Sequence, residues 1–240
     1  MRMFLGQRRR EAEWLDDPSA DPAELRHSLA FIRKVNRFLG YTRIVLWHLS
    51  RFSVNWNRGG KIRILDVGTG SADIPCAILK WADQRGWEVE IVGVDINPQI
   101  ANIAAEAASD PRLSIVRGDA LELPFADRTF DYAITSMFLH HLSDEQAERA
   151  LTEMSRVSRR GIVVSDLLRM HTSYAFIWLA TLLASPMVKH DARVSVGQAF
   201  SKREIKALRD RAGIGYASYF GHVGHRFVLA GEKFEFRRVA

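Results

Sequence analysis

Apolar positions along this chain recur with two different periods. Ile62, Ile64, Leu65 and Val67 form a short run that ends at Gly68-Thr69-Gly70, and a helical pattern follows over about residues 72–85. An apolar run closed by turn residues and followed by a helix-length repeat predicts a buried strand entering an α/β unit. The unit repeats. Val89-Glu90-Ile91-Val92-Gly93-Val94-Asp95 leads into Asn97-Pro98, a cap followed by proline at the first helical position, and a helix is predicted to about Ala108. Further strands are predicted over 113–116, 130–135 and 161–166, with two late ones near 215–220 and 226–230. Ser143-Asp144-Glu145-Gln146 and Ser201-Lys202-Arg203-Glu204 are capping boxes, opening helices that reach about Val157 and Gly213.

Two segments fall outside this alternation. Asp21-Pro22-Ala23-Glu24 starts an N-terminal helix in which Leu25, Leu29, Ile32, Val35 and Leu39 share one face, with Arg26, Arg33, Lys34, Arg37 and Arg43 interleaved. Its apolar face is expected to rest on the domain and its basic face in water, although a homodimer contact would use the same features. The second segment, Tyr174 to Ser185, is strongly apolar and is followed by Pro186. Even extended to Val188 it falls short of the about 20 residues that span a bilayer, so a buried helix is expected, with no stable membrane insertion. A membrane-interface position admitting a lipid-like substrate is the weaker alternative.

Chemistry concentrates at the first turn. Gly68 and Gly70 let a ligand approach the main chain. A dinucleotide fingerprint would place a third glycine at position 73, beside a pyrophosphate at the helix start, but Asp73 stands there. Carboxylates at Asp66 and Asp73 repel a pyrophosphate and attract an ammonium, which argues against a nicotinamide-dependent oxidoreductase. Asp95, at the end of the second strand, has two acceptor oxygens for two ribose hydroxyls.

With Gly118-Asp119-Ala120 and Phe130-Asp131-Tyr132-Ala133-Ile134-Thr135 following in order, residues 61–166 resemble the class I S-adenosylmethionine (SAM)-dependent methyltransferases. The resemblance implies a Rossmann-like, seven-stranded, mostly parallel sheet with helices on both faces, SAM as cofactor and S-adenosylhomocysteine as product. It implies an N-terminal helical cap over residues 1–60 and a methyltransferase domain over 61–240, with a lid insertion at about 167–200. Carried over by position, Asp95 holds the ribose, Ile96 packs on adenine, and Asp119 with Ala120 meets the adenine edge. Asp66, Gly68, Thr69, Gly70, Asp73, Thr135 and Ser136 complete the expected cofactor site.

A methyl sulfonium is already electrophilic, so the enzyme chiefly aligns the acceptor and helps remove its proton. His140 follows the fourth strand and is a candidate base, and His190-Asp191 is a candidate acceptor-site pair. No metal site is expected, because adjacent His140 and His141 lack helical ligand spacing and no other His, Cys and carboxylate cluster stands out. The passage from Gly118 to Phe125 resembles ubiquinone and menaquinone C-methyltransferases, whereas Leu139-His140-His141-Leu142 departs from them. The stretch 190–200 is similar to bacterial methyltransferases of phenolic and polyketide-derived molecules. O-methylation of a small, largely apolar phenolic acceptor is therefore expected, with C-methylation of a quinone-like acceptor and a non-catalytic SAM binder as alternatives.

Composition refines this picture. Of 240 residues, 47% are hydrophobic and 26% charged, ordinary for a globular protein. Residues 1–60 hold 11 Lys/Arg against 6 Asp/Glu, and the remaining 180 hold 23 against 22. A nearly neutral catalytic half without a Pro-Pro-aromatic motif after the fourth strand argues against nucleic-acid bases as substrates. The lone cysteine, Cys76, excludes an internal disulfide and is expected to be a core thiol. Met3-Phe4-Leu5 is broken at once by Gly6-Gln7-Arg8, unlike a secretory signal, so a cytoplasmic location is expected.

Overall fold

The predicted strands pair into one sheet in the computed structural model, which describes residues 8–17, 19–222, 226–233 and 235. In chain order they are β1 (Lys61–Val67), β2 (Glu88–Asp95), β3 (Leu113–Arg117), β4 (Phe130–Ser136), β5 (Ser158–Leu167), β6 (Ser218–His222) and β7 (Arg226–Glu232). Their spatial order is β3-β2-β1-β4-β5-β7-β6, with β7 antiparallel to both neighbours. Strands covered on both faces need apolar side chains on both sides, which is why β4 and β7 are buried along nearly their whole length. The chain winds outward from β1 in one direction and from β4 in the other. The switch point between them opens a crevice at the carboxyl ends of the strands.

Helices α1 (Pro22–Phe38) and α2 (Tyr41–Phe52) precede the sheet, and α3 (Asp73–Asp83), α4 (Pro98–Ala107) and α5 (Asp144–Val157) cross between its strands. The caps are those the sequence predicts: Asp21 accepts from the Ala23 and Glu24 N–H groups, Asn97 from Gln99 and Ile100, and Ser143 and Gln146 form a reciprocal box. One apolar core lies under α5 and α8 (Lys202–Arg211), and a second under α2 and α3.

Three expectations change. The apolar stretch after β5 is two helices, α6 (His171–Ala180) and α7 (Pro186–Gln198), because Ser185 caps a new helix with Pro186 at its first position. The first is not buried: Trp178 and Leu179 are exposed, as is Leu183, completely, in the turn that follows. Its apolar composition has no single inward face, so packing cannot cover it. No helix among the described residues is long and apolar enough to cross a membrane. Cys76 is exposed rather than a core thiol, lying on the side of α3 that turns away from Ile74 and Ile78. Residues 1–7, including the Met3 to Leu5 triplet, lie outside the described residues.

Candidate functional site

At the end of β1 the main chain turns through Gly68 (φ +70°) and Gly70 (φ +54°), and the Gly68 and Thr69 N–H groups donate to the Val94 carbonyl on β2. A Cβ on Gly68 would lie 2.5 Å from the Phe138 ring, so glycine is required there by space as well as by conformation. Ala72, before α3, and Met137, after β4, are also left-handed, at φ 57° and 58°. Such backbone in non-glycine residues costs on the order of 1–2 kcal/mol and gathers at functional sites.

This turn gathers three carboxylates. Asp66 accepts from Thr69 Oγ1 at 2.8 Å, while Asp73 accepts from Ser71 Oγ and from Asn36 Nδ2, which α1 delivers at 3.1 Å. Asp95 accepts from the Gly70 and Asn97 N–H groups, each at 3.1 Å. Burial pushes the Asp66 carboxyl up to about 7; the charges of Asp73 and Asp95 add to this, and the Thr69 hydrogen bond opposes it. Burial also raises Asp95, against the backbone N–H groups of Asn97 and Gly70. A cation is what such a cluster stabilises, and an amino-acid ammonium has the size and donors for it.

A cavity of about 380 Å³ runs from this turn to the N-terminal helices. Asp66, Gly68, Thr69, Gly70, Asp73, Asp95, Ile96 and Ser136 line it as expected. Asp119, Ala120 and Thr135 do not line it. The Asp119 carboxylate closes its own turn on the Leu121 N–H, and Thr135 Oγ1 is buried against the Val67 carbonyl, tying β4 to β1. A strand-end sequence match does not distinguish a ligand contact from a turn closure or an interstrand tie.

The far part of the cavity is apolar, walled by Leu29, Ile32 and Val35 of α1, Leu39, Ile177 of α6 and Val188 of α7. Where the two parts meet stands a polar cluster. His140 is buried, its Nδ1 is 2.7 Å from Asp166 Oδ1, and its N–H donates to Asp166 Oδ2. Burial would raise the Asp166 carboxyl, but its contacts with the His140 side chain and with the Leu167 and His140 N–H groups outweigh this and hold it below the usual carboxylate range. An ionised Asp166 fixes the proton on Nδ1 and leaves Nε2 toward the cavity. His141 Nδ1 is 2.8 Å from Asp16 Oδ2. Burial lowers its pKa, but the Glu13 charge and the Asp16 hydrogen bond outweigh this and raise it to about 10.

Glu13, Asp16 and Asn36 are functional candidates that sequence reasoning missed. They come from an N-terminal segment whose charge pattern suggested only a solvated face. Asp166 stood in plain view at the end of β5, but its pairing with His140 is tertiary. A short 3₁₀ turn, Trp14–Asp16, carries the acids to the cavity. Arg8 secures the facing loop: its guanidinium donates to the His140 and Leu142 carbonyls and packs on the Phe200 ring.

Of the expected His190-Asp191 pair, Asp191 lines the main cavity and His190 does not. Asp191 accepts the Trp14 and Leu15 N–H groups at 2.8 and 3.0 Å, and the His190 ring stacks on Trp14 at 4.3 Å. His190 faces a separate hollow with Arg9 and Glu11, outside the main cavity. The two side chains are themselves hydrogen-bonded, Nδ1 to Oδ1 at 3.0 Å, and together they clasp the N-terminal turn. Chain spacing pointed to no cluster of metal-ligating side chains, and one such grouping is present among the described residues. Glu13, His140 and His141 bring one donor atom each to within 4.8 Å of the others, a grouping that chain spacing cannot reveal.

In comparison with known proteins, residues 64–161 match the model of a methyltransferase domain family. The demethylmenaquinone methyltransferase of Roseiflexus sp. is 37% identical over 105 residues, 44% of this chain and 42% of that protein. The chain spans about half the length of the curated relatives it matches. Among solved structures, a SAM-dependent methyltransferase from Aquifex aeolicus superposes with a TM-score of 0.61 at 17% identity, covering 89% of this chain and 99% of that one. The CurJ carbon methyltransferase gives a TM-score of 0.67 at 14% identity, covering 91% of this chain and 62% of its own. At these identities the two structures speak for the fold.

Proposed function

We propose that this chain, as a class I SAM-dependent methyltransferase with SAM as its cofactor, transfers a methyl group to a small, largely apolar acceptor through a hydroxyl held at His140, a reading that its domain match and relatives support. The observation that carries this reading is the position of the Asp166-His140 pair. It sits where the acid-lined and apolar parts of one cavity meet.

In this reading Asp95 takes the two ribose hydroxyls, Asp66 and Asp73 face the ammonium, and Ile96, exposed at the cavity edge, packs on the adenine. The methyl group would then point toward His140 and Ser136. A phenol with a pKa near 10 is mostly protonated at neutral pH, so an imidazole oriented by an ionised carboxylate assists by accepting its proton. The apolar wall excludes water from the sulfonium and fits an aromatic or alkyl body.

C-methylation of a quinol-like acceptor is the second reading, favoured by the demethylmenaquinone methyltransferases among the relatives. It uses the same deprotonated hydroxyl, with a ring carbon as nucleophile. Incubation with methyl-labelled SAM and a panel of phenols and quinols, with products located by NMR, tests both. O-methyl products support the first reading and ring-methyl products the second. A protein that binds S-adenosylhomocysteine but methylates no panel member would contradict both.

A further inference from the structure

Two imidazoles and a carboxylate converge at the junction of the cavity. Glu13 Oε1 lies 3.7 Å from His140 Nε2, and Glu13 Oε2 lies 3.9 Å from His141 Nε2. Both imidazoles turn the same atom inward for the same reason. Nδ1 of His140 is held by Asp166 at 2.7 Å, and Nδ1 of His141 by Asp16 at 2.8 Å. A carboxylate on the far ring nitrogen is the arrangement that orients histidines for a metal ion and strengthens them as ligands. Here it occurs twice, around one shared acid.

The acid is placed by structure of its own. Asp191 binds the Trp14 and Leu15 N–H groups, and Glu13 Oε1 accepts from Ser195 Oγ at 2.7 Å. Three carboxylates, Glu13, Asp16 and Asp166, surround the two rings, so the surroundings favour a cation. The donors lie within 4.8 Å of one another, against roughly 3.3 Å between ligands about 2 Å from a tetrahedral ion. Small side-chain rotations close that difference.

We propose that Glu13, His140 and His141 form a divalent transition-metal site of two histidines and one carboxylate, with its open positions directed into the acceptor cavity. Two imidazole donors favour zinc, iron or nickel over magnesium, calcium or manganese. The existence of the site does not depend on the reaction, but its role rests on the methyl-transfer reading. With the cation present, His140 Nε2 is a ligand rather than a base. The acceptor hydroxyl displaces a bound water, its proton leaves to solvent, and its oxygen stays on the cation as the anion. An oxygen lone pair then forms the bond to the methyl carbon while the carbon–sulfur bond breaks. Its electron pair returns to sulfur, leaving neutral S-adenosylhomocysteine.

Cobalt(II) titrated into the chelator-treated full chain tests the site without reference to activity. One equivalent should bind with a visible ligand-field band, zinc should displace it, and Glu13→Gln and His141→Asn should abolish the band while still binding S-adenosylhomocysteine. Asp16→Asn should weaken cobalt binding by roughly 10- to 100-fold, as expected for a carboxylate that orients a histidine ligand. No stoichiometric band in the parent protein, or an unchanged band in Glu13→Gln, overturns the site. Methyl transfer by cation-free protein at an unchanged rate overturns the cation's role and leaves the methyl-transfer reading intact. A bound cation with no transfer to any acceptor overturns the methyl-transfer reading, and the cation's role with it, and leaves the site standing.

Discussion

Asp66 couples cofactor binding to pH. Its carboxyl moves from the ordinary 3.8 to about 7, chiefly through burial, a change of roughly 4 kcal/mol in the relative energies of its two protonation states. A raised carboxyl pKa means that the ligand-free fold prefers the neutral acid. Stability is uncompromised below pH 4, falls as pH rises between 4 and 7, and stays at its lower level above 7. A bound ammonium reverses the preference by pairing with the ionised form. S-adenosylhomocysteine, which carries the same amino-acid group, should therefore bind about 15-fold more tightly at pH 7 than at pH 5.5. That ratio is the change in the ionised fraction of a group of pKa 7, over a range below the α-amino pKa near 7.7. Calorimetry at pH 5.5 in two buffers of different ionisation enthalpy should show release of nearly one proton per ligand bound. In Asp66→Asn the affinity should be weaker and nearly flat with pH. A flat affinity in the parent protein, with no proton release, would refute the assignment of Asp66 to the ammonium.

Other perturbations separate the parts of the site. Asp95→Ala removes the acceptor of two ribose hydroxyls, each bond to a charged group being worth about 1.5–3 kcal/mol, and calorimetry should show cofactor affinity falling a hundredfold or more. Gly68→Ala forces a Cβ toward the Phe138 ring at a left-handed residue, so thermal unfolding should show a loss of over about 1 kcal/mol, accompanied by weakened cofactor binding. Asp191→Ala leaves the Trp14 and Leu15 N–H groups without their acceptor. Loosening this turn should raise the KM for the acceptor several-fold while cofactor affinity holds, and an unchanged KM would show that the turn does not cover the acceptor.

The sheet and the glycine turn were legible because short-range signals carry them: apolar runs, turn glycines, Asn97-Pro98 and two capping boxes. Asp66, Asp73 and Asp95 were legible for the same reason, each lying at a strand end or helix start. The acceptor side was not, because its geometry is made by residues far apart in the chain. Glu13 meets His140 across 127 positions, and Asp166 meets it across 26. The His190-Asp191 dipeptide looked like an oriented base, and the hydrogen bond between the two side chains is present, but the stacking of His190 on Trp14 outside the main cavity is tertiary. The apolar stretch from Tyr174 looked buried because composition alone carries no information about which elements remain to cover it.

The central claim is that one cavity joins a SAM site to an acceptor hydroxyl held at His140. Its most direct test is single-turnover methyl transfer from labelled SAM, with acceptor saturating, in the parent protein and in His140→Ala. The variant should bind S-adenosylhomocysteine with unchanged affinity and transfer at least about a hundredfold more slowly, the usual contribution of a positioned proton acceptor. Transfer at the parent rate by a His140→Ala protein that binds cofactor normally would contradict the account.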